Sequence, residues 1–547
     1  MNRRQLIKNA SAIIPGMMLG RSFAKQPEYL AFTKEKMQEG IFKPTWQSLE
    51  QYNTPAWYHD AKFGIWAHWG AQCQPEYGDW YARGMYQEGS DQYKYHVMKY
   101  GHPSKFGFKD VINEWKAEKW NPDSLVELYK NAGAKYFVAL ANHHDNFDNY
   151  DSKYQNWNSV NMGPKRDIIG GWMKAAKQQG LHFGVSVHAA HAWSWYETAQ
   201  RSDLKGPLAG IPYDGKMTVV GGTGKWWNGF NPQELYAQDH LLSQGSENNG
   251  MIHKQWNWGN GVTPPTKAYC EKFYNRTVDL IDKYQPDLVY FDDTALPFSQ
   301  INDVGLRIAA HMYNESIKSY GTLQAVINGK ILDEQQRKCL VWDVERGASN
   351  SIEPFVWQTD TCIGEWHYDR RLYNRKGYKT AKTVIEILCD VVSKNGNLLL
   401  NVPIRGDGTI DELELAVVND ISAWMKVNSE SIYGTRPWKI FGEGPALSTA
   451  APLSAQGFNE GKNKAFDAED FRFTTKGNIL YAIFFGWPAN GKLKVKSISG
   501  TEQKVNEVTM LGYEGKIVWS GDSDGLGINL PENKPCNHVY VLKIKCK

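Results

Sequence analysis

Carboxylates and imidazoles recur in this chain at places where short apolar runs stop. His68 and Trp69 follow one such run, Asn142, His143, His144 and Asp145 a second, Asp292 and Asp293 a third, and Glu345 and Arg346 a fourth; Asp360 and the string Glu365, Trp366, His367, Tyr368 close the series. Cleaving a glycosidic bond with retention needs a carboxylate beneath the anomeric carbon and a second acid about 5–5.5 Å away to protonate the departing oxygen. The ends of separate strands in one closed barrel can hold two such groups at that spacing. The run LVYFDD, apolar until it breaks into a carboxylate pair, puts Asp292 at the mouth of such a barrel, just beyond Tyr290. The same acid could instead cap a following helix. The histidines also admit a metal reading, with His68 joining His143, His144 and Asp145. Adjacent side chains on an extended segment point to opposite sides, however, and no HExxH or Cys/His knuckle occurs, so no metal is expected. Neutral imidazoles serve equally well as partners of sugar hydroxyls.

These groups need a scaffold, and the hydrophobic pattern supplies one. Apolar, strand-like runs at 63–69, 136–140, 183–187, 288–291, 323–327, 340–344, 355–359 and 398–402 alternate with segments of helical period at 122–132, 170–179, 267–284 and 380–393. Such alternation means parallel βαβ units. Eight of them, with no GxGxxG after the first strand, predict a closed (β/α)₈ TIM-like barrel over residues 25–430 and not an open doubly wound sheet. An insertion at about 194–266, rich in Gly, Trp and Asn (KWWNGF, QWNWGNG), is long enough to be a lid or a cleft wall. After Tyr433 the helical period gives way to short alternating runs at 479–485, 492–497, 505–510, 516–520 and 539–544, which predicts an antiparallel β-sandwich over residues 431–547.

Composition narrows the partners. With 62 Lys+Arg against 59 Asp+Glu the net charge is only +3, so nothing favours nucleic acid or an anionic membrane. Twenty-two Trp and 29 Tyr suit stacking on sugar rings as well as core packing. Residues 1–24 have a basic start containing Arg3 and Arg4, a short apolar run and a small residue pattern ending at Ala24, the form of an export signal with a possible twin-arginine address. Their apolar run is too short to span a bilayer, no later one reaches about 18 residues, and no lipoprotein-type cysteine follows. The expectation is an exported, periplasmic or secreted bacterial protein without a membrane anchor. Seven cysteines without a CxxC form no disulfide framework; Cys536 and Cys546 are the one pair close enough to suggest a bridge.

Five segments together resemble the α-L-fucosidases of glycoside hydrolase family 29: KFGIWAHWG (62–70), GDWYARGMY (78–86), AKYFVALANHHDNFDNYDSKYQNWN (134–158) with RDIIGGW after it, PDLVYFDD (286–293) and SKNGNLLLNVPIRGDGTI (393–410). The resemblance implies a (β/α)₈-like barrel with a C-terminal β-sandwich, retaining double displacement on a terminal α-L-fucose, no cofactor, and a fucosylated or L-galactosylated glycan as substrate. Position by position it makes Asp292 the nucleophile, His68, His143 and His144 partners of the sugar hydroxyls, Trp80 and Tyr81 sugar-contacting aromatics, and Arg346 an arginine near sugar and nucleophile. Asp79 stands where several members carry Glu. Tyr290 and Trp366, beside the strand-end acids, complete the expected binding set.

One position departs from the pattern. Where many members read Trp-Glu, this chain reads Trp357-Gln358-Thr359-Asp360, and an amide cannot donate a proton as a carboxylic acid does. The acid must then be another group: Glu345 is the first choice because its strand ends in the cleft, with Glu365, Asp360, Asp79 and Glu76 as alternatives. An α-L-galactosidase on the same scaffold and an L-fucose-binding protein that has lost catalysis are the competing functions.

Overall fold

The computed structural model describes residues 34–547 apart from 238–239, 450–452, 454–456, 463 and 499–503; the export signal expected at 1–24 lies outside these residues. Eight parallel strands close into a barrel in sequence order: β1 (Phe63–Ala67), β2 (Tyr136–Asn142), β3 (His182–Val187), β4 (Leu288–Thr294), β5 (Val326–Lys330), β6 (Val341–Glu345), β7 (Trp357–Cys362) and β8 (Gly396–Asn401), with β8 pairing back onto β1. The strands are buried almost throughout, as expected where helices cover one face and the barrel interior fills the other. Covering helices start at side-chain caps: Asn121 accepts from Ser124 N ahead of Pro122–Asn131, Asp167 from Gly170 N ahead of Ile168–Gln178, and Thr266 from Tyr269 N ahead of Lys267–Tyr284.

Two features of register position the site. Glu345 pairs with Asp360, and Asp343 with Gln358, so β6 and β7 carry three carboxyl groups and one amide side by side on adjacent strands. In β4 the ladder to β5 is interrupted between Tyr290 and Thr294 before Thr294 pairs with Lys330. Asp292 sits in that irregular stretch, and breaks of this kind re-aim side chains at barrel rims.

Beyond the barrel the chain forms a five-stranded antiparallel sheet in the order β13-β16-β11-β10-β9 and a three-stranded one in the order β12-β15-β14. The strands are β9 (Arg436–Glu443), β10 (Phe471–Lys476), β11 (Ile479–Phe484), β12 (Lys492–Val495), β13 (Val505–Met510), β14 (Val518–Asp522), β15 (Gly525–Asn529) and β16 (Tyr540–Cys546). Phe473, Phe484 and Leu542 from one sheet pack with Val495, Leu526 and Ile528 from the other as a separate core. Arg472 of β10 meets Asp390 of the barrel helix Ala381–Ser393 at 2.5 Å, and Lys394 meets the second oxygen at 2.7 Å, which ties this domain to the barrel through a buried ionic cluster. The suggested Cys536–Cys546 bridge is not formed, since all seven cysteines are free; Cys536 sits against Val539 O and Asn428, while Cys546 ends β16.

Candidate active site

At the C-terminal ends of the barrel strands lies a cleft of about 310 Å³, within the range of small-ligand pockets. At its floor is Asp292. Its Oδ1 accepts from Lys330 Nζ at 2.8 Å, and its Oδ2 lies 3.1 Å from His188 Nδ1 and 3.2 Å from His144 Nε2. Burial alone would raise the pKa of this carboxyl, but the Lys330 ammonium and the two imidazoles outweigh it and hold the group well below its ordinary value. Asp292 is therefore an ionised carboxylate lining a cavity of small-ligand size.

The Lys330 ammonium also reaches Glu345 Oε2 at 2.5 Å. Two oxygens that lie 2.8 and 2.5 Å from one nitrogen can be no farther apart than the sum of those distances, about 5.3 Å. The upper limit of about 5.3 Å admits the carboxylate spacing of a retaining pair, about 5–5.5 Å. Around the same lysine stand Asp360 and Asp343, and although burial opposes its charge, the four carboxyl groups together hold the ammonium well above its usual range. One cation cannot neutralise four anions in a buried site, so some of the acids keep their protons. Burial pushes Asp343 up to about 7 and Asp360 well above the ordinary carboxylate range, with Asp343 adding to the effect on Asp360. Tyr290 hydroxyl links the two, donating to Asp360 Oδ2 at 2.8 Å and lying 3.3 Å from Asp343 Oδ2.

The opposite wall is built from the loops after β1, β2, β3 and β7. His68 presents two ring nitrogens with no partner among the described residues, and His188 Nε2 and His367 Nε2 are likewise buried without one. His143 Nδ1 is 2.9 Å from Gln72 Nε2, and His367 Nδ1 is 2.7 Å from Asp79 Oδ1. Burial pushes the His68 and His143 pKa values well below normal and that of His188 to about 4, so these rings are neutral and offer donor and acceptor nitrogens to a polar ligand. The loop carrying His143 and His144 is clamped from the helix Lys267–Tyr284 by Arg276, which bonds Asp148 and Asn146 at 2.6 Å each. Aromatic rings complete the wall: Trp80 stacks on His253 at 5.0 Å, and Trp256 lies nearly parallel to it. His253 and Trp256 belong to the long insertion, which therefore does line the cleft. The sets His68/His143/His367 and His143/His144/His188 bring five histidines close enough to hold a cation, and in the second set His144 Nε2 and His188 Nδ1 already contact Asp292.

Of the residues expected from the sequence, His68, Asp79, Trp80, His143, Tyr290, Asp292, Glu345, Arg346, Asp360, Glu365 and Trp366 all line this cleft. Three others fall elsewhere. Tyr81 is fully buried in the short helix Tyr81–Gly84, its hydroxyl 2.8 Å from His96 Nδ1, and does not line the cleft. Glu76 pairs with Arg370 in a neighbouring groove. His144 stands behind Asp292 and does not line the cleft; its other nitrogen is bound to His188 O at 2.7 Å. Arg346, expected beside the nucleophile, donates to Cys362 Sγ and Gly364 O, and the cation at Asp292 is Lys330. Gln358 is no blunted acid in the cleft. It lies in the barrel interior, accepting from Tyr58 and Tyr136 hydroxyls and donating to Asp343 Oδ1 at 2.7 Å.

Two central residues escaped the sequence reading. His188 directly follows the apolar run 183–187 and could have been found by the same strand-end reasoning that found Asp292. Lys330 was hidden because the fifth strand was expected at 323–327, whereas β5 runs three residues later and ends on Lys330 itself.

Known proteins match most of the chain. The profile described as Alpha-L-fucosidase matches residues 29–430, and that of the Alpha-L-fucosidase C-terminal domain matches residues 464–545. Tissue alpha-L-fucosidase of Rattus norvegicus is 27% identical over 507 residues, covering 90% of this chain and 89% of the relative. Plasma alpha-L-fucosidase of Homo sapiens is 26% identical over 531 residues, with 92% of both chains covered. Among solved structures, the Thermotoga maritima alpha-fucosidase in complex with a mechanism based inhibitor superposes with a TM-score of 0.67 at 24% identity, over 92% of this chain and all of that one.

Proposed function

Since the chain belongs to the α-L-fucosidase family of glycoside hydrolases, we propose that it releases terminal α-L-fucose from a glycan by retaining double displacement, with Asp292 as nucleophile and Glu345 as acid/base. The observation that carries this reading is the Lys330 ammonium shared by the two carboxylates, which limits the gap between them to about 5.3 Å. In the first step an Asp292 oxygen bonds to the anomeric carbon while the glycosidic bond breaks and the departing oxygen takes the Glu345 proton. In the second, Glu345 removes a proton from water, the water oxygen bonds to the anomeric carbon, and the ester to Asp292 breaks, so two inversions give net retention. Lys330 keeps Asp292 ionised and lowers the cost of gathering negative charge in a buried site. His68, His143 and the Asp79–His367 pair supply directed hydrogen bonds to the sugar hydroxyls, and Trp80 supplies an apolar face.

A second reading of the acid has its own support. Asp360 lines the cleft, burial holds it protonated, and its Oδ1 has no partner among the described residues. One experiment separates the two: hydrolysis of 4-nitrophenyl α-L-fucoside by the parent, Asp292→Gly, Glu345→Ala and Asp360→Ala, with and without azide. Azide should rescue Asp292→Gly as the β-fucosyl azide and Glu345→Ala as the α-fucosyl azide; α-azide from Asp360→Ala alone would transfer the acid role to Asp360. The α-L-galactoside run in parallel tests the competing sugar, because an apolar pocket rejects an added hydroxyl only about 10²-fold. The leader at 1–24 supports export, and N-terminal sequencing of the protein recovered outside the cytoplasm should begin after Ala24.

A further inference from the structure

Between β9 and β10 the C-terminal domain reaches back over the mouth of the barrel. Gly457 forms a bridge to Glu345, Phe458 N donates to Glu345 O at 2.8 Å, and Glu460 N donates to Arg346 O at 2.9 Å. The Glu460 carboxylate accepts from Thr361 Oγ1 at 2.9 Å and pairs with Lys379 at 3.3 Å, so the segment is fastened to the ends of both β6 and β7. The approach is close enough to require glycine: Gly457 has φ +113, and a Cβ there would stand 2.1 Å from Glu345 O. Next to it Phe458 is held at φ +60, a left-handed conformation that costs a non-glycine residue energy, yet the residue remains 40% exposed and lines the cleft. The segment's backbone is thus fixed with an exposed aromatic side chain at the cleft, open to contact with a ligand.

Its position says which part of the ligand. The hydroxyl-binding groups His68, Asp79, Trp80 and His143 come from the β1 and β2 side, with Asp292 beneath. Glu345 is on the far side, and the departing oxygen must leave toward it. We propose that Phe458 is the platform of an aglycone subsite, on which the pyranose that carries the terminal L-sugar lays its C–H face, while Arg346 and Glu365, both lining the cleft beside it, meet that sugar's hydroxyls. The C-terminal domain thereby takes part in choosing the glycan. This inference rests on the assignment of Asp292 and Glu345 above.

The test compares two substrates that differ only in the leaving group: α-L-fucosyl fluoride, which has no aglycone sugar, and whichever α-1,2-, α-1,3-, α-1,4- or α-1,6-linked fucosyl disaccharide the parent cleaves fastest. Phe458→Asn removes the ring and keeps a residue that tolerates left-handed backbone, and Phe458→Tyr keeps the ring. Phe458→Asn should lower kcat/KM on the disaccharide about tenfold, equivalent to ~1.4 kcal/mol, mostly through KM. Hydrolysis of the fluoride should stay within about twofold, and Phe458→Tyr should keep both activities. An equal effect on both substrates, no effect on either, or a parent that cleaves the fluoride and none of the disaccharides overturns the subsite alone. A parent inactive on both substrates overturns the fucosidase mechanism and the subsite with it.

Discussion

Replacing Lys330 by methionine keeps the length of the side chain and removes its charge. In the parent, Nζ lies 2.8 Å from Asp292 Oδ1 and 2.5 Å from Glu345 Oε2, and the side chain is only 7% exposed. At an effective dielectric near 20 a unit charge pair at 2.8 Å attracts by about 6 kcal/mol, and removing one partner of a buried pair costs a net ~3–5 kcal/mol once desolvation is counted. Without the ammonium, Asp292 loses the cation that opposes the effect of burial on its charge. The pKa of Asp292, held down in the parent mainly by Lys330 against the effect of burial, rises. The expected result is a kcat/KM on 4-nitrophenyl α-L-fucoside lower by roughly 10²- to 10⁴-fold at neutral pH, with the acid limb of the pH profile displaced upward because the nucleophile now loses its charge at higher pH. A depressed carboxyl pKa also contributes stability that is present above the unfolded-state value and lost as pH falls through the folded one. The thermal stability gap between variant and parent should therefore narrow in acid. A folded variant with kcat/KM within tenfold of the parent and an unmoved acid limb would refute the electrostatic role given to Lys330.

Two further outcomes follow from the polar interior. Asp343, pushed by burial to about 7, keeps in the folded state a proton that the unfolded chain releases near pH 4, so its contribution to stability is full below that pH and is lost as pH rises to about 7. Asp343→Asn imitates the protonated form toward Gln358 and Tyr290, and should flatten the fall in Tm between about pH 4 and 7; an unchanged pH dependence would remove Asp343 as its source. Arg276→Met leaves Asp148 buried without its partner beneath the loop that carries His143 and His144, and should cost ~3–5 kcal/mol in denaturant unfolding while raising KM more than it lowers kcat. A loss below about 1 kcal/mol would mean that the pair holds neither the fold nor the loop.

What the sequence reveals of this enzyme depends on whether a feature is written within one segment. A strand buried on both faces is a run of apolar residues, and a helix announces itself by period and cap, so the barrel and the places where its strands end can be read without coordinates. Asp292 is visible for that reason: LVYF stops and two carboxylates begin. β5 shows the limit. Its residues, VINGK, are polar at the end that matters, and the apolar weight lies three residues upstream, which displaced the expected strand and hid the lysine that finishes it. The beginnings of the C-terminal sandwich were lost in the same way, because β9 is half-exposed and begins with Arg-Pro, whereas β15, GLGIN, carries few side chains to make a pattern.

Charge at the site is harder still to read, since it belongs to no segment. Asp292, Lys330 and Glu345 lie 38 and 15 residues apart, and the charge states of Asp292, Asp343 and Asp360 depend on the one buried ammonium they surround. Gln358 illustrates the consequence. Judged by its place in a motif, it is a missing acid; judged by its neighbours, it is an amide well suited to the barrel interior, able to accept from two tyrosines and donate to a carboxylate at once. An acid needs only to reach the departing oxygen from the correct distance. In the proposed mechanism that acid is Glu345, at the end of the neighbouring strand β6 and with an oxygen within about 5.3 Å of one of Asp292, so an amide at position 358 removes nothing that this mechanism requires.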